Sequence, residues 1–445
     1  MALKHWDVYE PDPKADWNLR RVVHLHRRAA FAAPWGALQR DLKAGPEASV
    51  KRLLDGADDA HVPADFAATA GALADAAATA GDINRLKAAW LYRMLFGPDP
   101  VGERLALVWH DHFATGYAKV RNVRSMRRQN ELFRTHARAR FAPLLNAVVR
   151  DPALLEYLDA PVNRKGHPNE NLARELMELF TLGVGHYTEA DVKQAARCLT
   201  GWGVEEDAFA ESSSRHDGGE KTVLGATGKW TGTDLVDLLL KQPPTADRLV
   251  TKLLKAFFGE GACPPEAAKE LAAGLRTHDL DIGWAVGTVL RSRLFFADAN
   301  LRTRVTAPPE FVAGAARALG LFDPSPSTLA LADWSARMGQ DLFDPPNVGG
   351  WPGGRAWVTS RALIARTNYA TALVDGPNAG RPEAYEPAAA AKAAGFGSNR
   401  TDVLVYHSRL LFGTDPPAEQ TDRLSKLNDR PLVTALLSSP EAQLG

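Results

Sequence analysis

The sequence predicts an all-α protein with long loops and at most a small β-excursion near residues 204–230. Apolar residues recur at the 3.6-residue spacing of amphipathic helices along most of the chain, whereas the alternating apolar–polar pattern of strands is scarce. No unit of about 20–50 residues repeats, so the pattern is not that of a solenoid or a propeller. The chain is therefore expected to fold as a non-repetitive helical protein.

Composition places the chain among ordinary globular proteins. Its 445 residues exceed the usual size of one hydrophobic core, and 45% of them are hydrophobic and 24% charged. The 53 Lys and Arg residues balance 53 Asp and Glu residues, so no overall charge attracts nucleic acid. The two cysteines fit neither a disulfide framework nor a zinc motif. No apolar run is long enough for a membrane span, and no secretory signal is visible, so we expect a cytoplasmic protein.

The first half of the chain divides into helical segments that end at glycine or proline. The pattern at 83–96 is strongly amphipathic and is stopped by Gly97 and Pro98. The segment 102–112 runs toward Gly116, which should end it. The predicted helices of this half are 35–54, 65–80, 83–96, 102–112, 126–139, 141–150 and 152–158.

Residues 169–202 are the most informative stretch, because they read as two helices around a glycine turn. Glu170, Arg174 and Glu178 have i, i+4, i+8 spacing and share one helix face, as a carboxylate–guanidinium–carboxylate ladder. Glu175 projects about 100° away from that face. The ladder is either a surface ion-pair network or part of a functional site, and the pattern alone does not distinguish the two.

The second half continues the helical pattern after a long, glycine-rich and charged segment at 204–230. Thr188 and Asp191 have the spacing of a capping box at the start of the preceding helix. The predicted helices are 233–240, 246–258, 265–277, 284–291, 309–319, 402–411 and 418–427. We predict a main helical domain over 1–375, as one body or as lobes 1–202 and 231–375 joined by loop 203–230. A flexible connector at 376–400 and C-terminal helices within 401–445, packed on the main domain, would follow.

Four segments of the chain together resemble one family. They are 24–31 (HLHRRAAF), 109–113 (WHDHF), 169–202 and 345–354 (PPNVGGWPGG). In this order they resemble the bacterial family called domain of unknown function 1800, as does the shorter segment 215–221. The resemblance implies a fold and a set of positions but no reaction. Relatives are often exported, and their genes often lie beside those of a companion family that resembles sulfatases and phosphatases, which suggests a sulfatase-like partner.

The strongest metal-type signal is His110-Asp111-His112. Neutral imidazoles are common ligands of zinc, copper and iron. In extended backbone the two rings would point the same way and could share one ion, whereas on a continuous helix they diverge by about 200°. The alternative is that one ring is a buried hydrogen-bonding partner and the other caps carbonyl groups at the helix end. His216, in the long loop, is the candidate third ligand, and Asp217 beside it would be a further ligand or would orient one of the ligands.

The leading hypothesis is therefore a metal-dependent hydrolase or oxidoreductase that uses zinc, iron or copper. Glu170, Glu175 or Glu178 would act as the general base, and Arg174 would orient the carboxylates or polarise an unknown substrate. No glycine pattern for a nucleotide or a flavin is present, so neither cofactor is expected. The alternative is a non-catalytic binding or assembly partner of a companion enzyme, in which these residues are structural. A basic run at 121–140 gives only weak grounds for nucleic-acid binding, so none is expected.

The proline- and glycine-rich segment 345–354 predicts a rigid loop that plugs a core or walls a pocket. Trp351 and the nearby Trp357 offer large anchors for such a loop. Asn347 is expected to bind its own backbone in a turn.

Overall fold

The computed structural model describes residues 3–57, 61–259 and 261–445. It is predominantly helical, which confirms the predicted all-α class. The helices of the first part are α1 (Leu19–Ala29), α2 (Trp35–Ala44), α3 (Pro46–Leu54), α4 (Phe66–Ala80), α5 (Ile83–Phe96), α6 (Pro100–His112), α7 (Tyr117–Val120), α8 (Val123–Thr135), α9 (Phe141–Val148), α10 (Pro152–Tyr157), α11 (Asn171–Glu175) and α12 (Glu189–Cys198). A 3₁₀ turn covers Ala160–Val162, and a π-helical segment, Leu176–Thr181, directly continues α11.

Two small antiparallel hairpins separate these helices from the second block. The hairpins pair β1 (Trp202–Glu205) with β2 (Ala208–Glu211), and β3 (Lys221–Val223) with β4 (Ala226–Gly228). The helices that follow are α13 (Gly232–Leu240), α14 (Pro243–Phe257), α15 (Pro265–Thr277), α16 (Ile282–Arg291), α17 (Pro308–Ala318), α18 (Thr328–Arg337), α19 (Ser360–Asp375), α20 (Pro387–Ala393), α21 (Arg400–Phe412), α22 (Ala418–Leu424), α23 (Asp429–Ser438) and α24 (Pro440–Gln443). Short 3₁₀ turns cover Asp298–Asn300, Gly354–Val358 and Pro377–Ala379.

The predicted helix 35–54 is wrong in one respect, since the structure breaks it into α2 and α3. Gly45 has a positive φ of 84°, and Pro46 starts the next helix. Proline lacks the amide hydrogen that a continuous helix would need at this position, and it suits the first helical position. The predicted β-excursion at 204–230 is confirmed by the two hairpins.

The glycine turn of the 169–202 stretch is present, and its second helix begins as predicted. Gly183 and Gly185 both have positive φ between the π-helical segment and α12. Thr188 and Asp191 form the predicted capping box at the start of α12.

One contiguous hydrophobic core extends from Trp6 to Ala442 and includes buried residues from both blocks of helices. The stretch predicted as a flexible connector, 376–400, contains α20 and contributes the buried residues Tyr385 and Ala391 to this core. A small second cluster joins Ala307 to Trp351 and Trp357 beside the main core. Among the described residues, none of the helices combines the length and the apolar character that crossing a bilayer requires.

Candidate functional site

A basic cleft of about 580 Å³ opens beside the small tryptophan cluster. Its walls come mainly from α6, α14, residues 303–310 and the segment 351–357, with Gly259 and Gln340 completing the lining. The loop 345–354 therefore walls a pocket, as predicted. The charged side chains that line the cleft are Arg104, Asp111, Lys252, Lys255, Arg304, Glu310 and Arg355.

Glu310 lies between two arginines at the inner side of this cleft. Its Oε1 atom is 3.0 Å from Arg104 Nη1, and Arg304 donates to both carboxylate oxygens at 2.5 and 2.8 Å. The side chains of Arg104 and Glu310 are almost fully buried. Burial alone would raise the pKa of Glu310, but the two arginines outweigh it and lower the pKa to about 2. Glu310 is therefore ionised at neutral pH, and the three residues together carry one positive charge.

Asp111 links the loop 345–354 to α14. Its Oδ2 atom is 2.9 Å from Lys252 Nζ, and its Oδ1 atom accepts a hydrogen bond from the Trp351 amide at 2.8 Å. Gly350 packs closely on Asp111: a Cβ atom at this position would lie 2.4 Å from Oδ1, and the residue has a φ of +84°. Only glycine meets both conditions without strain. The Asp111 carboxylate is thus fixed at the cleft wall, with Lys252 beside it.

The remaining cations, Lys255 and Arg355, come from different elements, α14 and the 3₁₀ turn Gly354–Val358. Lys255 Nζ donates to the Pro352 carbonyl oxygen at 3.1 Å. The exposed Arg355 has neither a hydrogen bond nor an ion pair within the described ranges of the chain. Among the described residues, five cationic and two anionic side chains therefore line the cleft, and together they carry a net positive charge.

Three lining side chains also keep a buried polar atom without a hydrogen-bond partner in the described part of the chain. These atoms are Nε of Arg104, Oε1 of Gln340 and Nε1 of Trp357. A buried polar atom that lacks a partner costs roughly 1–3 kcal/mol, so such atoms are rare in folded proteins.

The histidines predicted as metal ligands are engaged elsewhere. His110 and His112 lie on the continuous helix α6, so their side chains diverge as the helical alternative required. His110 Nε2 accepts a hydrogen bond from the Phe343 amide at 3.1 Å, which occupies its lone pair. His112 Nε2 donates to the Phe180 carbonyl oxygen at 3.1 Å, while its Nδ1 atom is buried. Burial lowers the pKa of both rings, to about 4 for His110, so both are neutral at pH 7.

His216 and Asp217 form a separate, partly buried cluster at the end of α12. His216 Nδ1 donates to the Thr200 carbonyl oxygen at 3.0 Å. Asp217 accepts a hydrogen bond from Arg197 Nε at 2.7 Å, and this contact lowers the pKa of Asp217 to about 2. Within the described ranges, no group of three or more His, Cys, Asp or Glu side chains is placed to hold a metal ion. The structure therefore does not bring His110, His112, His216 and Asp217 together.

The predicted ladder of the 169–202 stretch is only partly present. Arg174 donates to Glu170 at 3.0 Å, but its second partner is Glu189 of α12, at 2.8 Å, rather than Glu178. The π-helical segment begins at Leu176 and changes the helical register, so Glu178 instead binds the Tyr187 hydroxyl group. Glu175 is half-buried. Its pKa is raised, mainly by burial and to a smaller extent by the negative charge of the nearby Glu178. None of these four residues lines the basic cleft.

The π-helical segment instead supports the two helices that carry the cleft. Carbonyl groups in the last turn of a helix lack intrahelical donors. Here His112 of α6 donates to the Phe180 carbonyl group, and Arg248 of α14 donates to that of Leu179 at 3.1 Å. His112 is adjacent to Asp111, and Arg248 lies one helical turn before Lys252. The most recognisable stretch of the sequence thus holds the Asp111–Lys252 pair in place.

Replacement of His112 by phenylalanine tests this support. The aromatic packing would be retained, but the buried Phe180 carbonyl group would lose its donor, so we expect the free energy of unfolding to fall by about 1–3 kcal/mol. Chemical denaturation of the purified variant measures this loss. His278→Phe is the matched control, since His278 also donates to a main-chain carbonyl group, that of Gly274, but is exposed so that water can replace it. Equal losses in the two variants would contradict the assigned role.

Sequence reasoning predicted the loop at the cleft wall but missed the charged residues that line the cleft. Asp111 was passed over because the histidines on either side of it are the more common metal ligands. A usable signal existed on α6, where Arg104 and Asp111 are seven residues apart and share a face with Leu107 and Val108. Two charges on the same face of such a buried helix indicate a polar surface within the fold.

A family model described as "Protein of unknown function (DUF1800)" matches residues 24–444. This match covers nearly the whole chain and confirms the resemblance carried by the four segments. Neither the curated proteins nor the solved structures contain a significant match to the chain.

Proposed function

We propose that this chain, which belongs to the DUF1800 family, recognises a small organic anion in the basic cleft. The observation that carries the proposal is the excess of cationic side chains around one cavity, five against two carboxylates among the residues that the structure describes. Cavities of about 300–1,000 Å³ are typical of small-molecule sites, and the cleft volume of about 580 Å³ lies in this range. Clefts lined by one sign of charge concentrate ligands of the opposite sign.

This proposal differs from both hypotheses drawn from the sequence, the metal-dependent enzyme and the non-catalytic binding or assembly partner of a companion enzyme. The metal-dependent hydrolase or oxidoreductase would require His110, His112 and His216 to move toward one ion, since no three His, Cys, Asp or Glu side chains of the described residues are placed to hold one. Elemental analysis of protein purified without a metal-affinity tag addresses that hypothesis directly. A stoichiometric transition metal would support it against the proposal made here.

Binding of simple anions tests the proposed function. We expect citrate and inorganic phosphate to bind and to raise the midpoint of thermal unfolding, whereas glucose, which is neutral, should not. Ligand at about 100 times its Kd should add about 2.7 kcal/mol to the free energy of unfolding. The measurements are calorimetric titration and thermal unfolding at matched ionic strength. Affinity should fall as sodium chloride is added, because salt screens charges at a solvent-open site.

An excess of sodium chloride over the same concentration range is the control for general salt effects. If neither citrate nor phosphate binds more tightly than chloride, the proposed function is refuted.

A further inference from the structure

We propose that the anion recognised in this cleft is amphipathic, with its charged group at Arg355 and an apolar body, about as large as one ring, packed along the cleft wall. This inference rests on the proposed function and specifies the class of its ligand. It follows from the surface and charge that the lining residues leave unused after their contacts with one another.

One wall of the cleft is apolar. Ala307, Trp351 and Trp357 form the small hydrophobic cluster beside the main core, and the partly buried Val305 packs against this cluster. All four residues line the cleft. An apolar group that enters the cavity would leave water and cover the open side of this cluster, and the removal of apolar surface from water is favourable.

The helices α6 and α14 add apolar surface to the same cavity. Leu107 and Val108 of α6 and Ala256 of α14 line the cleft, and they are 7%, 9% and 8% exposed. Apolar side chains from three separate parts of the chain therefore border one space. Small-molecule sites commonly combine such a lining with a few polar groups that fix the orientation of the ligand. A ligand body that is itself apolar suits this lining.

The polar side chains of the lining are largely paired with one another. Arg104 and Arg304 share the carboxylate of Glu310, and Lys252 is paired with Asp111. The hydroxyl groups of a polar ligand would have to give up hydrogen bonds to water, and these paired side chains offer few replacements. A polyhydroxylated anion should therefore gain little from entering the cleft beyond the attraction of its charge.

The charged end of the ligand is assigned to Arg355. This side chain is exposed and has neither a hydrogen bond nor an ion pair with any residue of the described ranges. Arg355 belongs to the same 3₁₀ turn as Trp357, so the guanidinium group adjoins the apolar wall. Guanidinium groups bind carboxylates through two parallel hydrogen bonds. A carboxylate joined to a ring by a short linker can therefore use both features at once.

Titration of the protein with four compounds tests this inference: phenylacetate, acetate, gluconate and phenylacetamide. Acetate lacks the ring of phenylacetate, gluconate carries hydroxyl groups in its place, and phenylacetamide lacks the charge. We expect phenylacetate to bind at least about tenfold more tightly than each of the other three. Calorimetric titration at several temperatures should give a more negative heat-capacity change for phenylacetate than for gluconate, because only the ring buries apolar surface.

The outcomes separate this inference from the proposed function. If acetate or gluconate binds as tightly as phenylacetate, the apolar body contributes nothing, and the inference is overturned while anion recognition stands. If phenylacetamide binds as tightly, the charged end is wrongly assigned and the inference is also overturned. If none of the four binds, the inference is overturned, and the titrations with citrate and inorganic phosphate decide whether anion recognition survives.

Two variants examine the two ends of the assigned position. Val305→Thr replaces a methyl group by a hydroxyl group at nearly constant volume, so we expect about fourfold weaker binding of phenylacetate and unchanged binding of citrate. Val204→Thr is the matched control, because Val204 is also a partly buried valine but does not line the cleft. Arg355→Gln should weaken the binding of phenylacetate and of citrate alike, by about tenfold.

Thermal unfolding shows whether each variant keeps its fold. Equal effects of Val305→Thr and Val204→Thr on phenylacetate binding would overturn the assigned apolar wall. Unchanged affinity for phenylacetate in Arg355→Gln, at an exposed residue, overturns the placement whatever the effect of Val305→Thr on folding.

Discussion

Replacement of Glu310 by glutamine is expected to lower the free energy of unfolding by about 3–5 kcal/mol. Glu310 is the shared partner of Arg104 and Arg304, and removal of its charge leaves two guanidinium groups close together. Arg104 is almost fully buried, so water cannot replace the lost carboxylate there. Equilibrium denaturation by guanidinium chloride measures the effect. Glu266→Gln is the matched control, because the Glu266–Lys269 pair is exposed and should contribute at most about 1 kcal/mol.

The pH dependence of stability gives an independent check on the same residue. The folded state lowers the pKa of Glu310 from its ordinary value of 4.5 to about 2. The stabilisation is therefore complete above about pH 4.5 and is lost as the pH falls toward 2. The difference between the two pKa values corresponds to about 3 kcal/mol. The wild-type protein should lose this amount relative to Glu310→Gln over that interval, and parallel stability curves would refute the assignment.

Among substitutions in the cleft, reversal of charge at Lys255 and Arg355 should weaken anion binding most. The double substitution Lys255→Glu and Arg355→Glu replaces two cations by two anions at the cleft wall. We expect the Kd for citrate to rise at least about 100-fold, which corresponds to about 2.7 kcal/mol. Calorimetric titration at low and physiological salt measures the change. The difference between variant and wild type should shrink as salt is added.

Lys193→Glu controls for the change in net charge. Lys193 is exposed on α12 and does not line the cleft, so its replacement should leave the Kd for citrate nearly unchanged. Thermal unfolding of the double variant shows whether the fold is kept, which is expected because Arg355 is exposed. An unchanged Kd in a folded double variant would place anion binding outside the cleft.

These two predictions separate the two roles of charge in the cleft. Glu310 and its arginines form a buried network that stabilises the fold, whereas at the cleft wall Lys255 is half-buried and Arg355 is exposed. Loss of the first should change stability more than affinity, and loss of the second should do the reverse. A single charged cleft thus permits two measurements with opposite outcomes.

Local sequence signals predicted the helical fold well. Helix α5 was predicted with its observed boundaries, since an amphipathic period followed by Gly97 and Pro98 depends only on neighbouring residues. The capping box of Thr188 and the turn at Asn347, whose side chain accepts a hydrogen bond from the Gly349 amide at 2.8 Å, are equally local. The break at Gly45 was missed because the apolar period continues on both sides of it.

The candidate site was much harder to predict. The histidines stood out because imidazole is a common metal ligand, yet Nε2 of each ring binds a main-chain group that is distant in sequence, at Phe343 for His110 and at Phe180 for His112. The predicted Arg174–Glu178 ion pair does not form, because the π-helical segment shifts the helical register by one residue. The apolar periodicity of the sequence does not reveal this shift. Residue type alone therefore did not predict which groups these side chains bind in the folded protein.

The sequence by itself determined the helical class, most helix positions and the family, because each depends on spacing along the chain. Only the tertiary structure decided where charge is concentrated. Arg104, Lys252, Glu310 and Arg355 come from four separate segments, and each looks like an ordinary charged residue in its own segment. Their interactions depend on distance in space and on exclusion of water, and both arise only when the helices pack.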